Sequence, residues 1–186
     1  MRNLVCQSFV SLDGVINHME RWHFDYADDE SNTLALDQLR ASDGLLMGRR
    51  TYEVYAAAWP SRQGDYPELI NRLPKYVVSS TLTDPAWQNT TVLARDPIDA
   101  IDALKQEDGR QLLMHGYGPL AKELLAAGIL DELHLWVHPV MAGIGEGDDL
   151  LLQEGLHRVL RFDGSTALQS GVLILRYRND VPQGSA

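Results

Sequence analysis

The chain has 186 residues, with 16 Lys and Arg against 26 Asp and Glu, and a formal charge of −10 at pH 7. That is the size of one domain with a real core, and the charge excludes non-specific binding to nucleic acid or to anionic membrane surfaces. The single cysteine, Cys6, cannot close an intrachain disulfide, no apolar run reaches transmembrane length and no signal-peptide pattern opens the chain, so the expected location is cytoplasmic.

Residues Asn3 to Val10 read as a first strand, in which Cys6 is inert core. Ser11-Leu12-Asp13-Gly14 breaks it with an Asp-Gly turn signal. The stretch 15–28 is a polar loop carrying Trp22, His23, Phe24 and Tyr26. It reads either as a lid over a planar ligand or as a surface plug. Glu30 to Ala41 is a helix pattern, and Gly44 to Met47 is a short buried strand. That strand runs into Gly48-Arg49-Arg50-Thr51-Tyr52-Glu53 and a helix through Ala58, stopped before Pro60. Residues 60–74 are loop with one short helix, Pro67 to Arg72. Lys75 to Val78 is a strand ending in Ser79-Ser80-Thr81, Thr90 to Ala94 another strand, and Pro97 to Gln106 another helix.

The next stretch is the most informative. Gln111 to Met114 is an apolar run of buried-strand length, broken at His115-Gly116-Tyr117-Gly118. Pro119 sits where a first helical turn tolerates a missing N–H, and Leu120, Leu124, Leu125 and Ile129 follow at helical spacing, with Gly128 as the stop. Asp131 to Met141 is a strand. Strand, glycine turn, helix and strand make a parallel crossover unit whose helix start is a natural seat for a phosphate. A glycine-rich loop, 142–149, a short apolar turn at Leu150 to Leu152 and two strands near 157–165 and 171–178 complete the pattern.

Strands alternating with helices, then two consecutive strands, predict a three-layer α/β/α fold. Its central sheet is mostly parallel, with helices on both faces and an antiparallel C-terminal edge. A single domain over 1–179 is expected, with a disordered tail at 180–186. Ligands on such sheets collect beyond the carboxyl ends of the strands. Four strand ends carry suggestive residues: Asp13-Gly14, Gly48 to Thr51, Ser79-Ser80, and His115 to Gly118. Arginines, hydroxyls and glycine-freed helix starts suit a polyphosphate ligand, although the dinucleotide fingerprint GxGxxG is absent.

These motifs, in this order, resemble the dihydrofolate reductase-like superfamily, and within it the group built on the C-terminal reductase domain of bacterial riboflavin biosynthesis. The residues that carry the resemblance are Ser11-Leu12-Asp13-Gly14, Leu45 to Glu53, Val77-Val78-Ser79-Ser80, Gly116 to Leu120, Gly128 to Leu133, and His138-Pro139-Val140. The resemblance covers roughly residues 2–178. It implies an NADPH-dependent reductase acting on a small, pyrimidine- or pterin-like substrate, as in 5-amino-6-(5-phosphoribosylamino)uracil reductase. By the same resemblance, Gly48, Arg49, Arg50 and Thr51 contact phosphates, Ser79 and Ser80 lie near the 2′-phosphate, and Gly116, Tyr117 and Gly118 hold the pyrophosphate. The bulk of Tyr117 departs from the small residue of many relatives, and His115 stands where they often carry glycine.

Asp13 is expected on the substrate side, against the plainer reading of a self-capping Asp-Gly turn. Trp22 and Asp28 are candidate substrate contacts, although Asp25, Asp28 and Asp29 also read as a solvated acidic cluster. His134 and His138 are spaced like helix metal ligands, but four residues of strand span roughly 13 Å, so they cannot share an ion and no metal is expected. Alternation along this strand places His134, Trp136 and His138 on one face. That amphipathic face is the expected interface of a homodimer, an oligomeric state that the resemblance also implies. Two alternatives remain open: dihydrofolate reductase activity, and a non-catalytic NADP-binding or structural dimeric module.

Overall fold

The computed structural model describes residues 1–152 and 154–180. Among the described residues there are eight strands and five α-helices: β1 (Asn3–Ser11), α1 (Asp29–Ala41), β2 (Ser42–Gly48), α2 (Arg49–Ala58), α3 (Asp65–Arg72), β3 (Lys75–Val78), β4 (Thr90–Leu93), α4 (Pro97–Gln106), β5 (Gln111–His115), α5 (Pro119–Ala126), β6 (Glu132–His138), β7 (Arg161–Ala167) and β8 (Leu173–Arg178). Every predicted element is present, most within a residue or two of its expected bounds. The strand expected over Asp131 to Met141 is shorter, ending before Pro139, whose missing N–H cannot serve a ladder. The first of the two last strands starts four residues later than expected, at Arg161. The apolar turn at Leu150 contributes a single bridge to Val15. Of the expected tail, only Asp180 belongs to the described residues, and its carboxylate accepts from Arg161 Nε.

The chain divides into two compact units. The first comprises Met1–Leu4 and Asn32–His115; the second comprises Val5–Ser31 and the described chain from Gly116 on. In the first, the strands lie in the order β4-β3-β2-β5, all parallel. β2 is buried through Gly44 to Met47, the continuous apolar run that a parallel strand covered on both faces requires. Gly44 has no side chain because Leu112 and Tyr76 close in: a Cβ there would meet both at 3.0 Å. An unexpected core member is Lys75. It is fully buried, donates to the carbonyls of Asn71 and Gln88, and lies 4.3 Å from the ring centre of Trp87. The ammonium is thus satisfied by carbonyl dipoles and a π face rather than by a carboxylate.

In the second unit the order is β1-β6-β8-β7, with β1 and β6 parallel and the last two strands antiparallel. The strands are therefore mostly parallel with an antiparallel C-terminal edge, as the sequence predicts. Asn179, buried after β8, donates to the carbonyl of Leu125 in the last turn of α5 and to that of Leu130 before β6, and so ties the end of the sheet to this connection.

The expected interface face of β6 is corrected here. Trp136 is 4 % exposed and His138 1 %. The reason is the 15–28 loop: Trp22, His23 and Tyr26 pack edge-on against His138, and Phe9 packs against both Trp136 and His138. The opposite face is the open one. There Leu133, Leu135 and Val137 stand opposite Tyr177, Leu175 and Leu173 of β8, and Phe162 of β7 opposes Tyr177. Phe162 and Leu173 are exposed, and Leu135, Val137, Leu175 and Tyr177 are half-exposed.

Candidate functional site

In the first unit, β2 and β3 are parallel with Gly48 opposite Val78, so the start of α2 and the Ser79-Ser80-Thr81 turn emerge at the same end. Gly48 caps α2 with extended backbone and no side-chain hydrogen bond, and the first turn holds no acidic residue. Its orphan N–H groups and the positive end of the helix dipole therefore face outward. A Cβ on Gly48 would meet nothing within 4 Å, so the space beside this backbone is open.

The arginines separate. Arg49 donates from Nε to Glu53 at 2.6 Å and from Nη1 to Thr81 Oγ1 at 2.5 Å. Its guanidinium thus bridges the helix start and the turn after β3. Arg50 is exposed and makes no hydrogen bond or ion pair among the described residues. The buried Ser79 hydroxyl accepts from the N–H groups of Thr81 and Leu82 and fixes the turn. Ser80 is exposed and Thr51 half-buried. Thr81 was not singled out by the sequence reading; the hydroxyl run Ser-Ser-Thr directly after a strand was the available signal. This cluster can take an anion: guanidinium, hydroxyls and helix N–H groups converge without a carboxylate beyond Glu53.

The same unit explains His115. Tyr55 OH lies 3.1 Å from His115 Nδ1. Burial pushes the His115 imidazole down to about 4 and the Tyr55 phenol well above its usual range. The neutral imidazole and the neutral phenol therefore share one uncharged hydrogen bond at Nδ1.

In the second unit, the turn after β5 is tied to β1. Gly116 N–H donates to Gln7 O at 2.7 Å and Tyr117 N–H to Ser8 Oγ at 3.1 Å. Gly116 has φ 83°, where a side chain would be strained. The Tyr117 side chain is buried, and burial pushes its phenol up. Tyr117 therefore packs inward, and its N–H is already used. Gly118 caps α5 without a side-chain bond, and a Cβ on Gly116 or Gly118 would meet nothing within 4 Å.

β1 and β6 end side by side, Ser11 opposite His138, and the loops that follow are stitched together. Leu12 N–H donates to Val140 O, and Ile16 N–H to Asp149 O. Asp13 accepts from Ser11 Oγ, from Ala142 N–H at 2.9 Å and from Gly143 N–H at 2.7 Å. Those donors, Ser11 first, hold its carboxyl down to about 2. Asp13 is thus ionised at neutral pH and anchors the 142–143 backbone; it has no proton to give. Asp28 forms a reciprocal cap at the start of α1, accepting from Ser31 N–H while Ser31 Oγ accepts from Asp28 N–H. Trp22 is 4 % exposed and donates to Asn17 O. Asp28 thus holds the start of α1, and Trp22 holds the loop closed on itself.

His23 stacks on Phe9 with ring centres 4.2 Å apart and meets His138 with Nδ1 to Nε2 at 2.9 Å. His138 Nδ1 faces the Trp136 carbonyl at 2.9 Å and so carries its proton. Its Nε2 accepts from His23 Nδ1–H. Burial pushes both imidazoles down, His23 to about 4. At Trp22 and His23 the loop is therefore a plug, whereas Phe24 at its tip is 65 % exposed.

With this geometry in view, the fold is that of the dihydrofolate reductase-like superfamily. The chain is 15% identical to dihydrofolate reductase from Enterococcus faecalis, solved in complex with NADP(H), over 96% of this chain and 97% of that one, with a TM-score of 0.64. A protein assigned provisionally to riboflavin biosynthesis from Shewanella sp. PV-4 gives a TM-score of 0.72 at 21% identity, over 96% and 99%. The RibD C-terminal domain model matches residues 2–174, and the chain belongs to that family. Among curated proteins it is 25% identical over 182 residues to the uncharacterized protein YyaP of Bacillus subtilis, covering 95% of this chain and 94% of that one. Among the described residues no helix is long and apolar enough to cross a membrane, and no cluster of His, Cys, Asp and Glu could hold a metal.

Proposed function

We propose that the protein is an NADPH-dependent oxidoreductase that reduces a small ring compound. The observation that carries this reading is Arg49, whose guanidinium spans from the start of α2 to Thr81 beside the Ser79 turn. A phosphate monoester is recognised best by a guanidinium with hydroxyls, which favours NADPH over NADH. Arg49, Ser80 and Thr81 would take the 2′-phosphate, while the first-turn N–H groups of α2 at Arg50 and Thr51 take a further phosphate oxygen. Taken by itself, the second unit has its own anion seat, the starting N–H groups of α5 at Gly118, with Gly116 and Tyr117 fixing the turn. The open space at Gly48, Gly116 and Gly118 fits a close approach of ligand to backbone.

Bound there, NADPH supplies the hydride and leaves as NADP+, and water supplies the accompanying proton. The chain's own task is to hold both partners and exclude water. Asp13 keeps its charge throughout and shapes the loop over β1 and β6. Equilibrium titration of the protein with NADPH, followed by nicotinamide fluorescence, tests the reading: submicromolar to micromolar binding with weaker NADH is expected, and no binding at millimolar NADPH refutes it.

A homodimer belongs to the same reading. Its interface is the open β6–β8–β7 face, since an apolar strip of Leu135, Val137, Leu173, Leu175 and Phe162 is a liability in a monomer and can pair with its own copy about a twofold axis.

A further inference from the structure

We infer that the molecule reduced is an apolar ring compound, neutral or cationic, that carries no phosphate. The inference rests on the reductase reading above and concerns only the loops that follow β1 and β6. Ligands on such strands gather at these carboxyl ends. Three large apolar side chains stand exposed there: Leu12 at 60 %, Phe24 at 65 % and Met141 at 68 %. Their backbones are tied to the same strand ends: Leu12 N–H bonds the carbonyl of Val140, next to Met141, and Phe24 follows His23, which is bonded to His138 at the end of β6. Flexible methionine and an aromatic face are suited to a planar ligand.

The charges around this platform decide what such a ligand can carry. From Leu12 to Asp28 the chain has Asp13, Glu20, Asp25 and Asp28 against Arg21 alone. From Pro139 to Leu150 it has Glu146, Asp148 and Asp149 and no Lys or Arg. Asp13 stays ionised, and its three donors, Ser11, Ala142 and Gly143, come from the loops themselves. Of the histidines at hand, His23 and His138 share one donor–acceptor contact in a buried aromatic cluster, and His18 is engaged by the carboxylates of Asp149 and Glu20. A phosphate ester arriving here would meet carboxylates with one exposed arginine to offset them. Desolvating that anion without a paired cation is costly. A cationic or uncharged ring meets no such penalty.

Three probes separate the classes: riboflavin, its 5′-phosphate, and proflavine as a planar cation. Binding is read by fluorescence on the full chain at low salt, with NADPH affinity measured on the same sample. Riboflavin or proflavine should bind at least tenfold more tightly than the phosphate ester. The double variant Phe24→Ser/Met141→Ser should weaken that binding at least fivefold with an unchanged melting temperature, because both side chains are exposed. Val159→Ser, which removes an equally exposed apolar group on the approach to β7, should leave it unchanged. The phosphate ester binding as tightly as riboflavin, with loss on Arg21→Gln, overturns the inference. So does absence of binding by both unphosphorylated probes, or indifference to the double variant. Normal NADPH binding beside any of these failures leaves the cofactor reading standing, whereas loss of NADPH binding alone strikes that reading and not this one.

Discussion

Replacing Arg49 by Ala is the sharpest test of the cofactor cluster. Its guanidinium has five N–H donors, of which one serves Glu53 and one Thr81, so three remain to meet a phosphate. A hydrogen bond to a charged group contributes about 1.5–3 kcal/mol, which corresponds to a roughly 10- to 150-fold rise in Kd. Two structural details push toward the upper part of that range. Arg49→Ala leaves the Glu53 carboxylate bare beside the incoming anion, and it removes the brace on Thr81. The double variant Arg49→Ala/Glu53→Gln should therefore regain part of the loss, a coupling that a double-mutant cycle isolates. Folding stability should barely change, because the i,i+4 pair is half-exposed and such pairs contribute only about 0.3–0.5 kcal/mol. Arg50→Ala should alter the NADPH Kd less than about threefold, the effect of losing one screened surface charge. Titration of NADPH and NADH against wild type, Arg49→Ala, Glu53→Gln, the double variant and Arg50→Ala supplies the numbers. Equal losses from Arg49→Ala and Arg50→Ala would refute the assignment, as would an Arg49→Ala protein that keeps the wild-type ratio of NADPH to NADH affinity.

Asp28→Ala should lower the melting temperature by removing the cap of α1, with NADPH affinity unchanged; a binding defect without a thermal one would restore a ligand role. Trp136→Ala should cost about 3–5 kcal/mol in a denaturant melt, as loss of a buried Trp does, whereas Leu173→Glu should leave the fold intact and shift sedimentation from dimer to monomer. A Leu173→Glu protein that still sediments as a dimer would remove the interface from β8. Acid should destabilise the protein through its buried imidazoles. His23 and His115 have folded pKa values near 4, below the unfolded value of about 6.5. The unfolded chain therefore takes up protons first. The stability they allow is full above pH 6.5, falls as pH drops toward 4 and levels off below it. His115→Gln should flatten that slope in thermal melts, and an unchanged slope would place the titration elsewhere.

The fold was legible because its signals are local. Gly48 before a helix start, Pro119 at the first turn of α5 and Gly128 beyond its end each act within a few residues, and their elements appear where expected. What the sequence did not reveal are meetings across long separations. Arg49 and Arg50 are equivalent in the sequence; only the turn 32 residues onward, with Thr81, chooses between them. Tyr55 and His115 lie 60 residues apart, and His23 and His138 115 apart. The alternation rule correctly put His134, Trp136 and His138 on one face of β6, but it could not say which face the chain would cover. That was decided by the 15–28 loop, in which Trp22 and His23 plug against β1 and β6 while Phe24 stays exposed.

The same division accounts for the way chemistry is distributed over the second unit. Trp22 and His23 are spent on holding the loop to β1 and β6, and Asp13 on holding the loop after β6. The loops that form this rim carry an excess of carboxylates and almost no positive charge. Its exposed side chains at Leu12, Phe24 and Met141 contribute surface rather than hydrogen bonds. On the proposed reading such a rim would select by shape and by exclusion of anions, and the cluster at Arg49 would do the opposite, offering directed donors to an anion. A reductase whose cofactor is the charged partner and whose substrate is the uncharged one needs that asymmetry, because each ligand is then repelled or left unpaired at the other's seat.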